Sequence, residues 1–583
     1  MSTPTTFAPP ANAERVLEAR YLRRDAQRRI IETPAEMTAR VARAIAQAEM
    51  RFGTVRESRS YEESFARLLD SRLFLPNSPT LMNAGTSSGQ LSACFVLPVH
   101  DSLEEIFDAL RSMALIQRTG GGTGFSFSEL RPGGDPIVST GGEASGPLSF
   151  LRVFNCATEE VKQGGRRRGA NIGILRVDHP DILDFIRVKT DGTSLRNFNL
   201  SVSISDDFMT AVRNRADFAL VNPRTHATTA KVRAAEIFDA IVDAIWTCGD
   251  PGLSFRDAIN RANPLPELGE IEATNPCGEV PLLPFESCTL GSIDLARFVD
   301  QNSGPPQINW PELRRTIHLA VRFLDDAIEV NRFPISAVET ITRANRKIGL
   351  GVMGFAAMLI RLGVSYDSDE AVHLASHVAR FIEQHAIAAS AELSEQRGVF
   401  PNWQHSIDRH WGLRLRNATR TAIAPTGTLS IIAGTTPSIE PLFALAYRRT
   451  GILGGQTMTE VNPAFVDYAE RHGLESAIPQ VLERGTLTGV NVPEDVRSLF
   501  ATALEIPIDR QLQIQQAFQR FTDNAVSKTI NLQSEATREA IEHAIWRAWE
   551  LGLKGVTLFR FGSRSSQVIE LGTGTRCEAD RCV

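Results

Sequence analysis

The chain has 583 residues, of which 42% are hydrophobic and 22% are charged, and its formal net charge is −6. This composition is typical of a soluble globular protein long enough to form a large core. The slightly acidic balance gives no reason to expect binding to nucleic acid or to a membrane. No apolar run resembles a signal peptide or a membrane-spanning helix, so we predict a cytoplasmic protein.

Cysteines are few but unevenly placed. The chain has seven, too few for a disulfide scaffold of this size, and spaced cysteines in a reducing compartment more often serve metal or redox chemistry. Cys156 and Cys248 lie among apolar neighbours, so we expect both to be small buried side chains. The remaining five require a chemical explanation, and they are Cys94, Cys277, Cys288, Cys577 and Cys582.

The first part of the chain is predicted to be helical. Apolar positions recur at helical spacing over residues 35–50 and again over residues 61–73. Two prolines in residues 75–80 then break the pattern. We therefore divide the chain into a helical N-terminal region, a main domain and a polar redox tail, over residues 1–75, 76–562 and 563–583 respectively.

The main domain alternates strand-like and helix-like runs, which indicates an α/β architecture. A helix is expected after Asp101 and Ser102, because Glu104 and Glu105 then fall in its first turn, where the helix dipole favours acidic groups. Further helices are expected over residues 232–248, 310–331, 369–397 and 534–553, and strands over residues 91–98, 125–128, 172–177, 198–203 and 217–221.

Two glycine-rich segments are candidates for nucleotide binding. Residues 119–124 read TGGGTG, but they lack the Lys-Ser/Thr pair of a phosphate-binding loop, and a tight turn before a strand is the alternative. Residues 161–171 contain three arginines between glycines, which suit a loop that binds phosphates or a base edge. A solvated turn or a nucleic-acid patch would have the same composition, although the acidic net charge argues against the patch.

A third candidate is the segment 420–430. Its apolar start predicts a strand that ends at Pro425. Thr426, Gly427 and Thr428 follow with hydroxyl groups and backbone N–H groups at the expected start of a helix, a geometry that receives phosphates. An ordinary capped helix start is the alternative.

Residues 275–279 read NPCGE and combine an amide, a thiol and a carboxylate. In extended backbone Asn275, Cys277 and Glu279 would share one face at a spacing of ~6.6 Å. Because Pro276 and Gly278 disfavour a regular strand, we expect instead a tight loop that presents the three groups to one small volume.

The tail ends with Cys577 and Cys582. The pair could be half of a zinc site, but no histidine or second cysteine pair lies beside it and the spacing is long for zinc. A thiol–disulfide shuttle is the better interpretation.

These residues together resemble the catalytic subunits of ribonucleotide reductases, most closely the class II, adenosylcobalamin-dependent kind. The resemblance extends from about Tyr21 to the last residue. It implies a ten-stranded α/β barrel of two antiparallel five-stranded halves with a central finger loop, preceded by a small helical region. The segments that carry it are residues 77–85, 91–94, 161–171, 275–279 and 425–430, Cys288 and the two tail cysteines.

The resemblance implies the roles of the central residues. Cys277 would carry a transient thiyl radical that abstracts the ribose 3′ hydrogen. Glu279 would take the 3′-hydroxyl proton as general base, and Asn275 would hold the ribose by hydrogen bonds. No metal site is expected.

The same resemblance assigns the other cysteines to redox chemistry. Cys94 and Cys288 would supply two electrons and close to a disulfide as the 2′-hydroxyl leaves as water. Cys577 and Cys582 would reduce that pair again, and a thioredoxin-like or glutaredoxin-like protein would recharge them.

Nucleotide contacts are implied in the same way. Substrate contacts are expected from Ser78, Ala93, Gly122, Pro425, Thr426, Gly427, Thr428 and Leu429. An allosteric deoxynucleotide or ATP is expected to bind near Asp101, Arg131, Lys162, Gln163 and Arg166. About 75 residues precede Asn77, too few for an ATP-binding cone domain, so we expect control of specificity without a switch of overall activity.

The class of reductase is indicated by an absence. A class I subunit receives its radical from a partner through two adjacent tyrosines near the C-terminus, whereas residues 555–564 here contain none. No glycyl-radical motif of the class III type is apparent either. We therefore expect adenosylcobalamin as cofactor and no radical-generating subunit. The resemblance to the dimeric class II enzymes further implies a homodimer, with a ribonucleoside diphosphate as the favoured substrate. The alternatives are a class I large subunit with an unusual radical route and a non-catalytic nucleotide-binding regulator.

Overall fold

A computed structural model describes the chain over residues 11–138, 141–161, 169–301, 304–449, 458–563 and 569–571. Its helices are α1 (Ala11–Arg20), α2 (Pro34–Ala46), α3 (Val55–Asp70), α4 (Ser78–Asn83), α5 (Leu103–Arg118), α6 (Gly146–Glu160), α7 (Ile182–Arg187), α8 (Asp206–Arg213), α9 (Ala234–Cys248), α10 (Arg256–Arg261), α11 (Trp310–Val330), α12 (Ser336–Asn345), α13 (Phe355–Leu362), α14 (Asp369–Arg397), α15 (Ile407–His410), α16 (Gly427–Ala433), α17 (Pro463–His472), α18 (Ile478–Arg484), α19 (Glu494–Leu499), α20 (Ile508–Gln519) and α21 (Arg538–Glu550). Its strands are β1 (Phe74–Pro76), β2 (Cys94–Val96), β3 (Gly122–Ser126), β4 (Pro136–Ile137), β5 (Gly142–Glu143), β6 (Asn171–Arg176), β7 (Phe198–Ile204), β8 (Asp217–Val221), β9 (Thr228–Arg233), β10 (Gly252–Phe255), β11 (Ala273–Thr274), β12 (Pro281–Leu282), β13 (Ser287–Asp294), β14 (Val299–Asp300), β15 (Gln307–Ile308), β16 (Ile348–Met353), β17 (Ala446–Arg449), β18 (Met458–Val461), β19 (Thr529–Leu532), β20 (Gly555–Arg560) and β21 (Ile569–Leu571). None of these helices combines the length and the apolar character that crossing a membrane requires.

The N-terminal region is helical, as its periodicity predicts. α2 and α3 each begin with a capping box, in which Thr33 and Thr54 exchange hydrogen bonds with Glu36 and Glu57. The capping box at Thr54 starts α3 before the predicted residue 61. α2 ends at Ala46 and continues as a short 3-10 helix, so the predicted single helix is divided.

A ten-stranded mixed sheet forms the centre of the main domain. Its order is β1-β13-β2-β3-β6-β7-β10-β20-β19, and β16 also pairs with β13. Strands β2, β3, β6, β7 and β10 are parallel to one another. At the two edges of this five-stranded unit the direction reverses, because β13 is antiparallel to β2 and β20 is antiparallel to β10.

The strands of opposite direction form a second half. β16 is parallel to β13, and β19 is parallel to β20. Isolated parallel bridges join Leu350 to Thr421 and Ile423 to Val526. Through these bridges, residues 421–423 connect the β16 edge with the segment that leads into β19. Two halves of opposite direction agree with the predicted arrangement, whereas the predicted strand before Pro425 consists only of these bridges.

The helical region is joined to the main domain by buried charges. Arg397, the last residue of α14, has a side chain with 0% exposure, and its guanidinium lies 2.7 Å from Glu49. It also lies 2.9 Å from Asp325 and 2.7 Å from Asp326. Burial raises the pKa of Asp326 well above its ordinary value, which the Arg397 charge opposes. One guanidinium therefore compensates several buried carboxyl groups.

We expect Arg397→Gln to lower the free energy of unfolding by about 3–5 kcal/mol, because it leaves the buried Asp326 without its cation and removes one of the cations that Glu49 and Asp325 share with other arginines. The matched control is Arg471→Gln, whose partner Asp467 is 4.0 Å away and whose side chain is 59% exposed. That change should cost less than about 1 kcal/mol. Thermal unfolding of the two variants measures the difference, and equal stabilities would contradict the prediction.

Candidate active site

Residues 275–279 form a turn at the end of the β11–β12 hairpin. The N–H of Gly278 donates to the carbonyl oxygen of Asn275 at 3.0 Å, and Gly278 has a φ of +82°. The Asn275 side-chain oxygen accepts from the N–H of Val280 at 2.9 Å. The structure thus has a tight turn in place of a regular strand, as Pro276 and Gly278 predict.

The turn lies against strand β3, and two glycines of that strand permit the contact. A Cβ atom on Gly124 would lie 1.7 Å from the carbonyl oxygen of Thr274, and one on Gly122 would lie 2.9 Å from Cγ of Pro276. β3 begins at Gly122, whereas the sequence predicts a strand that begins at residue 125. These two glycines of the TGGGTG segment serve the close approach of the hairpin, which a turn interpretation did not predict.

Cys94 and Cys288 lie directly opposite each other. They are register partners across the antiparallel pair β2 and β13, and such partners have Cα atoms about 4.5–5.5 Å apart, within the range that a disulfide requires. On its other side Cys94 is the register partner of Gly122. A row across three strands therefore consists of Cys288, Cys94 and Gly122. Pro276 lies beside the Gly122 end of this row.

The two sulfurs share an apolar environment with the hairpin. Cys94 and Cys288 are buried in one cluster with Ala273, Val280 and Leu282. Burial raises the pKa of the Cys288 thiol far above its ordinary value. Cys288 is therefore a neutral thiol at neutral pH.

The central trio differs in exposure. Cys277 is exposed, whereas Asn275 and Glu279 are buried. The Glu279 carbonyl oxygen accepts from the N–H of Ala525 at 2.8 Å, and the Pro276 carbonyl oxygen accepts from Asn199 at 2.8 Å. The turn is thereby held from two sides, with its thiol at the accessible tip.

The predicted phosphate loop stands at the start of α16. Thr426 has a φ of +50°, and its hydroxyl accepts from the N–H of Ser438 at 2.7 Å instead of capping the helix. Ser438 also has a positive φ, +47°. Strained residues of this kind are concentrated at functional sites. The space around the exposed Gly427 is open, so Pro425, Thr426, Gly427, Thr428 and Leu429 lie at an accessible helix start.

Ser78 has a partner that sequence reasoning missed. Its hydroxyl lies 2.7 Å from the hydroxyl of the buried Tyr21. Tyr21 follows α1, and α1 packs against α16, so the helical region reaches both Ser78 and the phosphate loop. Of the other predicted substrate contacts, Ala93 accepts a hydrogen bond from Gly122 through its carbonyl oxygen at 2.8 Å. No sequence signal joins Tyr21 to Ser78.

The predicted effector residues are described in part. Arg131 Nε donates to Asp101 at 2.7 Å, and the Arg131 N–H donates to the same carboxylate at 3.2 Å. Both lie beside the start of α5, where Ser102 is the N-cap residue as predicted. Lys162, Gln163 and Arg166 lie outside the described residues, as do the tail cysteines Cys577 and Cys582.

One cysteine prediction is wrong. Cys248 is buried as expected, but Cys156 is exposed. Its apolar neighbours Leu151 and Phe154 occupy the buried face of α6, whereas position 156 falls on the opposite side of the helix.

Among the described residues no group of three or more histidine, cysteine or acidic side chains could hold a metal ion.

Two family models match the chain. The model described as "Ribonucleotide reductase, barrel domain" matches residues 92–414 and 409–559, and the model described as "Ribonucleotide reductase, all-alpha domain" matches residues 7–89. The chain therefore belongs to the ribonucleotide reductase family, and the predicted family and fold class are confirmed.

Relatives of known function are similar over most of the chain. A "Vitamin B12-dependent ribonucleoside-diphosphate reductase" of Thermoplasma acidophilum is 46% identical, covering 96% of this chain and 80% of the relative. An enzyme of the same name from Mycobacterium tuberculosis strain CDC 1551 is 50% identical, covering 95% and 80%. The class Id ribonucleotide reductase alpha subunit of Actinobacillus ureae superposes with a TM-score of 0.77 at 22% identity, covering 96% of this chain and 99% of that one. This likeness supports the fold.

The exposures of the cysteines predict their order of reaction. In the reduced native protein, iodoacetamide should modify Cys277 and Cys156 well before Cys94 and Cys288, because burial limits access and the raised pKa keeps Cys288 protonated. Peptide mass spectrometry after timed alkylation measures this order. In guanidinium chloride all four should react alike, and a native Cys288 as reactive as Cys277 would contradict the geometry.

Proposed function

We propose that the protein reduces ribonucleoside diphosphates to 2′-deoxyribonucleoside diphosphates by adenosylcobalamin-dependent radical chemistry, for DNA synthesis. The observation that carries this function is the row of Cys288, Cys94 and Gly122 across three strands beneath the turn that presents Cys277. A reaction that needs one radical sulfur and a separate two-electron sulfur pair requires such an arrangement. The B12-dependent relatives support it.

The chain's own residues perform the steps on the ribose. The Cys277 thiyl radical abstracts the 3′ hydrogen atom, Glu279 accepts the 3′-hydroxyl proton and Asn275 holds the ribose. The 2′-hydroxyl then leaves as water. Cys94 and Cys288 give up two electrons and two protons and form a disulfide, and Cys277 returns its hydrogen atom to C3′.

The radical requires a cofactor, and the described residues fit adenosylcobalamin. When bound, this coenzyme supplies the homolysis that generates the radical. The Cys277 thiol is exposed, whereas Glu279 and Asn275 are buried. The exposed Cys277 thiol would be accessible to the coenzyme, and the buried base and amide would act on the ribose. No radical-generating subunit is then needed.

Nucleotide contacts follow from the same function. The diphosphate binds at the start of α16 and at the Ser78 hydroxyl, whose oxygen lies against Tyr21. Deoxynucleotide effectors, or ATP, bind near Asp101 and Arg131, and residues 162–168 relay their identity to the substrate base. The tail cysteines reduce the active-site disulfide and are recharged by a thioredoxin-like or glutaredoxin-like protein.

A second copy of the chain is the proposed partner at α5 and α6. α5 presents the exposed side chains of Leu103 and Phe107 at helical spacing. α6, which packs against α5, presents the exposed Val153. Exposed apolar side chains on two adjacent helices suit a helix-to-helix interface with a second copy.

The purified chain with adenosylcobalamin and dithiothreitol, and with no second subunit, should convert CDP to dCDP faster than CTP to dCTP. Cys277→Ser should abolish turnover, because a hydroxyl cannot replace the thiyl radical. Glu279→Gln should lower kcat by about 10²–10⁴-fold, the usual contribution of a general base. Product chromatography measures each rate.

Cys156→Ser is the matched control, because Cys156 is an exposed thiol outside the site, and its activity should equal that of the parent. Activity that requires a separate radical-generating subunit would indicate the class I alternative. A fully active Cys277→Ser variant would exclude the thiyl mechanism itself.

The proposed dimer is tested on α5. Phe107→Glu should shift the protein toward monomer, because it buries a charge in the apolar contact, and light scattering measures the mass. Trp411→Glu, at an exposed position far along the chain, is the control and should leave the mass unchanged. A parent protein that is monomeric across a wide concentration range would contradict the interface.

A further inference from the structure

A buried ion pair lies beside the redox cysteine Cys288. Glu286 and Cys288 are two residues apart on extended chain and so share a face. Lys347 immediately precedes β16, whose Ile348 is the register partner of Thr289. Lys347 is therefore the neighbour of Cys288 across the parallel pair. The sulfur faces this strand, since a Cβ atom on Gly349 would lie 3.6 Å from it.

The pair is held firmly and is closed to solvent. Lys347 Nζ lies 2.6 Å from Glu286 Oε2, and both side chains are 1% exposed. Glu286 also accepts hydrogen bonds from Asn345 and from the N–H of Leu283, each at 2.6 Å. Replacing a buried ion pair by apolar side chains is often neutral for stability. Stability therefore gives no sufficient reason for a lysine at this position.

The charges around Cys288 act in different directions. Burial has the largest effect and raises the pKa of the thiol, and Glu279 and Glu286 add to it. Lys347 opposes them, and it has the largest effect of the three charged groups. Within the described part of the chain, Lys347 is the cation that stabilises a thiolate at Cys288.

We propose that Lys347, held in place by Glu286, is a positioning residue that stabilises Cys288 as the departing thiolate when the Cys94–Cys288 disulfide is reduced. It follows that the incoming thiolate attacks Cys94. The proposal rests on the proposed function, because that function forms the disulfide in each turnover.

The exchange proceeds in two balanced steps. One thiolate of a dithiol bonds to Cys94 Sγ as the Cys94–Cys288 bond breaks, and Cys288 leaves with the electron pair. The second thiolate of the dithiol then attacks the first dithiol sulfur, which is bonded to Cys94 in the mixed disulfide. The dithiol closes to a disulfide, and Cys94 leaves with the electron pair. Both cysteines take up a proton, and the dithiol has lost two electrons and two protons. A leaving thiol of lower pKa departs faster, so the Lys347 charge accelerates the first step.

The double variant Glu286→Gln with Lys347→Met tests the charge without burying a lone ion. In the oxidised full-length protein, dithiothreitol should reduce the Cys94–Cys288 disulfide about threefold more slowly than in the parent, because the loss of the Lys347 charge outweighs the loss of the weaker, opposing charge of Glu286. Alkylation and mass spectrometry measure the rate. Lys347→Arg keeps the charge and should retain most of the parent's rate. An unchanged rate in the double variant would overturn the proposal.

Two further measurements separate this role from a structural one. Glutathione should be trapped as a mixed disulfide on Cys94, and trapping on Cys288 would overturn the proposal. The double variant, reduced beforehand, should complete a single turnover at the parent's rate. A single turnover slowed as much as the disulfide reduction would indicate a structural defect and would overturn the proposal. Lys189→Met with Asp250→Asn, a mostly buried ion pair of 2.9 Å elsewhere in the chain, is the control and should leave the rate of disulfide reduction unchanged. If the parent makes no deoxynucleotide the proposed function fails, yet the exchange rates still decide the role of Lys347.

Discussion

The seam between β2 and β13 is the constraint on which the site depends. It is one of the two places where parallel half-sheets of opposite direction meet, and antiparallel pairing there sets Cys94 opposite Cys288. A shift of one residue in this register would turn one sulfur to the other face of the sheet. The surrounding chain fixes the register through β1, which pairs with the far end of β13, and β16, which pairs along most of its length.

The same seam explains how the β11–β12 hairpin packs beside the sulfur pair. Neighbouring strands are about 4.8 Å apart, and β3 is the strand next to Cys94. The hairpin can approach that strand only where the strand has no side chain. Gly124 leaves room for the backbone of Thr274, and Gly122 leaves room for the ring of Pro276. The position of the Cys277 turn relative to Cys94 and Cys288 is therefore set by backbone packing, which is stiffer than side-chain contacts.

Local features of this architecture could be predicted from the sequence, and long-range ones could not. α14 begins and ends at the predicted residues, because Ser368 caps its start and Gly398 follows its end. The turn at Pro276 and Gly278 is equally local. In contrast, the pairing of Cys94 with Cys288 and the hydrogen bond of Tyr21 to Ser78 join distant segments, and no periodicity encodes such contacts. Their functional assignment came from resemblance, and the exposure of Cys156 was missed because neighbouring residues do not determine which helix face is buried.

The helical N-terminal region contacts both segments that are proposed to bind the substrate phosphates. Tyr21 reaches Ser78, and α1 covers α16, so the two expected phosphate contacts are both supported from this region. Glu49 anchors the same region to the fully buried Arg397 of α14. Because the guanidinium groups of Arg397 and Arg322 each lose a buried carboxylate partner if Glu49 moves away, loosening of the helical region is costly. The surface proposed to bind phosphate is thus supported by charges that are buried at a distance from it.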